Sequence, residues 1–204
     1  MTRNDFLGAL KLSGDAGALV EACRRHLLHG TPHVFASREG AFFDFRRRIA
    51  DKFSVGFHEV FVVGSAKLGF SPYKNKLFDL ESDIDVVIVS AQLFETFMGQ
   101  IGAYQGELRR SRRSVSTREL VMYHRFLEYS AIGWIRPDKL PLSFSLSNLK
   151  EDWFNFFGSI SNGKSEVGNY KVSAGIFRTY AHLETYLLEG LTEVYEAQKI
   201  KEQA

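Results

Sequence analysis

Residues 59–90 read EVFVVGSAKLGFSPYKNKLFDLESDIDVVIVS. Two apolar runs frame this stretch. The first, 59–63, is short, rich in β-branched and aromatic residues, and stops at Gly64-Ser65. The second, Ile84–Val89, is β-branched and apolar apart from Asp85. Both have the composition of buried strands. A short turn or helix and an exposed basic loop are expected between them. Asp83 directly precedes the second run and is read with it as one strand, and side chains at i and i+2 of a strand share a face. The two carboxylates are therefore expected to converge.

Two ionised carboxylates side by side repel each other, and a divalent cation between them removes that cost. Mg²⁺ suits such a pair, because it takes oxygen ligands and is often held by one or two carboxylates plus substrate phosphates. Gly64 lets the backbone approach a phosphate closely. Ser65 offers both a hydroxyl and an N–H, and a strand followed by Gly-Ser and a helix start is a ready anion site. Lys67 is near enough in sequence to reach the same phosphate. Acids and an anion-binding turn on neighbouring strands point to phosphoryl chemistry. The structural alternative is a glycine turn with two strand-end acids capping a neighbouring helix.

The pattern Val62-Val63-Gly64-Ser65, then Ser82-Asp83-Ile84-Asp85-Val86-Val87, resembles the nucleotidyltransferase superfamily that includes DNA polymerase β. The likeness covers residues 40–140, and the two halves together are more specific than either alone. It implies an α/β (α+β) fold: a small mixed sheet, helices on one side and a C-terminal helical segment. It implies Mg²⁺, two ions with Mn²⁺ as a substitute, held by Asp83, Asp85 and a third acid on a later strand. Asp138 is the best-placed third acid, although it follows Pro137 in a loop instead of standing in an apolar strand; Glu151 and Asp152 are fallbacks. Gly64 and Ser65 would position the phosphates. In related nucleotide-signal synthases a C-terminal helical element faces the triphosphate, which makes Lys171 and Ser173 further candidates.

The implied reaction moves a nucleotidyl group from an NTP or dNTP to a hydroxyl and releases pyrophosphate. The acceptor stays open. Another nucleotide would give an oligonucleotide product or signal, as in compact bacterial members associated with anti-phage defence. A protein or RNA acceptor is the alternative, including self-modification at Tyr73, Ser161 or Ser165. A catalytically silent nucleotide-binding module is a third class.

The composition sets outer limits. A chain of 204 residues suffices for one full domain. A net charge of +2 argues against polyanion binding by bulk charge. The single Cys23 excludes an intramolecular disulfide and fits a reducing, cytoplasmic location. No apolar run approaches a membrane span, and no secretory pattern opens the chain.

Outward from the central stretch, helices are expected over 15–29, 37–53, 91–98 and 118–129. In the second, Phe42, Phe45, Ile49 and Phe53 form one face and Arg46, Arg47 and Arg48 the other. In the fourth, Leu120, Val121, His124, Phe126 and Leu127 are expected to be buried. Residues 101–106 are glycine-rich and are expected to be weakly structured. Residues 131–135 are β-like and expected beside Ile84–Val89. A long helix is expected over 172–198, from the stripe Ile176, Tyr180, Leu183, Leu187 and Leu191. Lys74, Lys76 and the run Arg109, Arg110, Arg112, Arg113 are either phosphate contacts or solvated charges. The expected organisation is a helical segment 1–36, a catalytic core 37–145 and a C-terminal helical segment 146–204.

Overall fold

The computed structural model describes residues 2–12, 16–74, 76–110, 114–140 and 149–203. Alternating apolar runs give four strands: β1 (Val60–Val63), β2 (Ile84–Val89), β3 (Trp134–Ile135) and β4 (Val172–Phe177). They form one mixed sheet in the order β1-β2-β4-β3. β1 and β2 are antiparallel, β2 and β4 parallel, and β3 and β4 antiparallel.

The period of two divides the side chains between the faces. Val60 and Val62, Ile84, Val86 and Ile88, and Val172 and Ile176 belong to the larger core. That face is covered by α3 (Glu39–Phe53), α5 (Ala91–Arg109), α6 (Thr117–Ala131) and α7 (Leu149–Ser159). Trp153 of α7 is its hub, with ring centres 4.8 Å from Phe53, 4.9 Å from Phe157 and 5.7 Å from Phe97. The opposite face presents Val87, Val89 and Phe177 to Leu183 of α8 (Tyr180–Gln203). Helices thus lie on both faces, not one, because α8 closes the second.

Further along α8, Leu191 and Val194 pack with Phe6, Leu7 and Leu10 of α1 (Arg3–Leu12), and with Leu68 and Phe70. Ala22 and Cys23 join them, at the junction where α2 (Ala16–Ala22) runs into a π-helical turn over Cys23–Leu28. The first and last helices of the chain thus share one apolar cluster.

Four sequence expectations are corrected here. Residues 172–177 are a central strand, not the start of a helix, so the C-terminal segment is part of the sheet. Gly175 permits this: a Cβ there would stand 2.6 Å from Nε1 of Trp134, whose indole lies across the strand. Residues 131–135 do not flank β2; β3 pairs with β4 instead, through Trp134↔Phe177 and Ile135↔Ile176. Residues 101–106 continue α5. Glycine weakens a helix by about 1 kcal/mol per residue, but Phe94, Phe97, Ile101 and Tyr104 keep one unbroken buried face. On α6 the buried residues are Tyr123 and Phe126, whereas Leu120, Val121 and Leu127 are exposed. Tyr123 donates to Gln105 Oε1 at 2.7 Å, which fixes the rotation of the helix.

Replacing the hub residue, Trp153→Ala, opens a cavity where α3, α5 and α7 meet. The expected loss is about 3–5 kcal/mol, read as a lower urea midpoint in far-UV circular dichroism. A loss below about 1 kcal/mol would mean that the Phe53 and Phe97 rings collapse into the space.

Candidate functional site

β1 ends where β2 and β4 begin, so three chain segments open onto one end of the sheet. Val63 pairs with Asp85, and Asp85 with Ser173. The Ser173 hydroxyl donates to Asp85 Oδ1 at 3.0 Å. One step before each strand, Lys171 Nζ donates to Asp83 Oδ2 at 3.3 Å. The main chain locks the starts of β2 and β4 together, with Ile84 N–H donating to Lys171 C=O at 2.8 Å.

The fourth wall is Gly64, the first residue of the single-turn helix α4 (Gly64–Leu68). Its φ is +65°, and an added Cβ would stand 3.1 Å from Asp85 Oδ2. Only glycine meets both conditions without strain. Ser65 follows, partly exposed, and no hydrogen bond among the described residues uses its hydroxyl. α4 has five residues, so its dipole adds little to anion binding.

The carboxylate of Asp85 opens to solvent at its tip but lies in a crowded recess. Burial raises its pKa above the ordinary 3.8. The Ser173 hydrogen bond works against that rise, the neighbouring Asp83 charge adds to it, and Arg136 and Lys171 oppose it more weakly. The Lys171–Asp83 pair is well exposed on both sides and contributes little to stability. The donor set fits Mg²⁺: two carboxylates, one kept costly to ionise by burial and by the other, beside a glycine that leaves Oδ2 uncovered.

Asp83, Asp85, Gly64, Ser65, Lys171 and Ser173 thus share one end of the sheet. Lys171 and Ser173 arrive there on a strand, whereas the sequence pattern suggests a helix N-terminus. Lys67 does not join them. It is buried, with 7% of its surface exposed, and its amine donates to the carbonyls of His29 and Gly30. Two residues along α4, about 200°, carry its side chain away from Ser65, so Lys67 is not part of the phosphate site expected beside Asp85.

Asp138 stands in a short 3-10 turn (Pro137–Lys139) after β3. It accepts from Arg136 Nε at 3.2 Å and Nη2 at 2.9 Å, and Lys139 Nζ is 3.5 Å away. Among the described residues no three His, Cys, Asp or Glu side chains are grouped as a metal site. Glu151 and Asp152 lie exposed on α7.

Four of the other candidate cations have protein partners. Arg46 stacks on Phe57, 4.3 Å from the ring centre; Arg47 pairs with Asp44 and Arg48 with Glu166. Lys76 pairs with Asp79. Arg112 and Arg113 lie outside the described residues. Of the candidate acceptor hydroxyls, Ser161 is buried and donates to Phe157 C=O, Ser165 donates to Ile160 C=O, and the Tyr73 phenol lies against the Gly190 backbone.

Sequence reasoning missed Arg136, whose charge Asp85 feels. Its signal was weak: one arginine between a short apolar run and a proline. No family model, curated protein or solved structure matches the chain.

An acid with a raised folded pKa keeps its proton longer in the folded chain. Stability therefore falls as pH rises from 3.8, the ordinary value, through the raised one. Asp85→Asn removes that loss and can still accept from Ser173. With chelator present, the variant should melt a few degrees above the parent at pH 7.5. The gap should narrow toward pH 4. A lower melting point for the variant at pH 7.5 would show that the ionised carboxylate stabilises the fold.

Proposed function

We propose that the chain is a metal-dependent nucleotidyltransferase that moves a nucleotidyl group from an NTP or dNTP to a hydroxyl acceptor. One observation carries this reading: Asp83 and Asp85 meet Gly64 on one side and Lys171 and Ser173 on the other, at a single end of the sheet.

Asp83 and Asp85 would hold Mg²⁺, which neutralises phosphate charge and makes the acceptor hydroxyl more acidic. Ser173 pins Asp85 through Oδ1, so that Oδ2 keeps one orientation. Gly64 leaves Oδ2 uncovered and lets the main chain approach a phosphate. Ser65 donates its hydroxyl and N–H to the phosphates. Lys171 exchanges its exposed pairing with Asp83 for a phosphate oxygen. The acceptor oxygen bonds to the α-phosphorus while the bond to the departing pyrophosphate breaks. The residues contribute position and charge compensation, with no covalent enzyme intermediate.

A nucleotide hydroxyl is the acceptor we favour, giving an oligonucleotide product. The net charge of +2 favours it over a long template, and the hydrogen bonds that occupy Ser161 and Ser165 favour it over those two side chains. A second reading rests on Asp138. Arg136 and Lys139 hold it, so the pair has no third acid grouped with it among the described residues. A nucleotide-binding module without turnover would have this arrangement.

Incubation with all NTPs and dNTPs and Mg²⁺ or Mn²⁺ should release pyrophosphate and yield free oligomers. Asp83→Ala with Asp85→Ala should lower that release at least about a hundredfold with the circular dichroism spectrum unchanged. Calorimetric nucleotide binding with no product would favour the silent module, and equal turnover in the double variant would refute both assignments of the acids.

A further inference from the structure

A second recess, of about 400 Å³, lies against β1. Val60, Phe61 and Val62 all line it. Their side chains alternate between the two faces of the sheet, so the recess meets the strand edge-on. Among the described residues β1 is an edge strand, paired with β2 alone. In an antiparallel pair every second residue turns its N–H and C=O away from the partner, so this edge offers main-chain donors and acceptors to the recess.

The remaining walls carry cations and aromatic rings beside Leu28, Gly30, Thr31 and Pro32. Arg46 and Phe42 come from α3, Lys67 from α4, and His29 and His58 from the flanking turns. Among the described residues no Asp or Glu lines the recess. Lys67 spends two of its three donors on the carbonyls of His29 and Gly30. Arg46 Nη2 donates to Phe57 C=O at 2.8 Å, while its Nε–H is buried without a partner among the described residues. For both cations burial is the one cause that lowers the pKa, Lys67 to about 8. Two desolvated positive charges with unused donors and no facing carboxylate are costly until an anion joins them.

We infer that this recess binds a small organic phosphate or carboxylate, its anion taken up by Arg46 and Lys67 and its apolar part laid against Phe42. The site is distinct from the acids of Asp83 and Asp85 and does not rest on the reaction proposed above. Lys67 shares α4 with Gly64 and Ser65, so an occupant pulls on the helix that forms the turn beside Asp85.

Calorimetry on the full chain tests the inference with phenyl phosphate, benzoate and phenol. Saturable binding of phenyl phosphate or benzoate is expected, with the stronger of the two identifying the anion, and none for phenol. Arg46→Gln and Lys67→Met should each weaken binding about tenfold or more, and Lys171→Ala should leave it unchanged. Lys67→Met also strips two carbonyls of their donor. Should it not fold, the Arg46 Nε–H resonance of the unaltered chain decides: it should move on titration and saturate with the heat. Three results overturn the inference: no saturable binding of either anion, an unmoved Arg46 resonance at saturation, or binding that survives Arg46→Gln but is lost in Lys171→Ala.

Discussion

Six residue pairs, from Ile84↔Val172 to Val89↔Phe177, hold β2 parallel to β4, and a parallel pair cannot be joined by a tight turn. Everything between Val89 and Val172 must therefore leave one end of the sheet and return to the other. α5, α6 and α7 make that return across the Trp153 face, and β3 is picked up on the far edge of β4 along the way. The same pairing starts both strands at one level. That level sets Asp85 opposite Ser173, and the residues just before each strand, Asp83 and Lys171, beside each other.

What the sequence made legible follows from how local each signal is. β2 was readable to the residue, because an apolar β-branched run needs no outside information, and β1 nearly so. β4 was not. Val172–Phe177 contains Ser173 and Gly175, which dilute the strand pattern, and Ile176 falls in phase with the helical stripe that continues from Tyr180. What decided the strand was the stacking of Trp134 over Gly175 and on Phe177, with ring planes 8° apart. That contact joins residues distant in sequence. Lys171 and Ser173 therefore stand beside Asp83 and Asp85 on a strand, not at the helix start that the sequence pattern suggests. Lys67 failed in the opposite way: a motif neighbour of Ser65, it points elsewhere because a helical turn rotates successive side chains by about 100°. The helix α5 was cut short by its glycines, whose local cost is outweighed by the buried face formed by Phe94, Phe97, Ile101 and Tyr104.

The site end is also where the fold departs from its own stability rules. Two carboxylates stand two residues apart, one has burial working against its charge, and a glycine with φ of +65° adjoins it. Three acids elsewhere are paired with arginines: Glu184 with Arg24, Glu166 with Arg48, Asp138 with Arg136. Such local strain and uncompensated charge are what the proposed reading would need at this end of the sheet.

The position of β4 in the sheet has a consequence for how the chain is made. β3 precedes β4 in the sequence, yet among the described residues β4 is its only strand partner. During synthesis on the ribosome, β1 and β2 can form their antiparallel pair early, but the inner edge of β2 and the whole of β3 then wait for residues 172–177 to emerge. α8 follows, and its Leu183 seals the second face. Nascent chains halted before β4 therefore display an apolar, unpaired strand edge of the kind that chaperones bind and that joins chains edge to edge. The contacts that end this exposure bridge large sequence separations, so their loop-closure entropy must be met late.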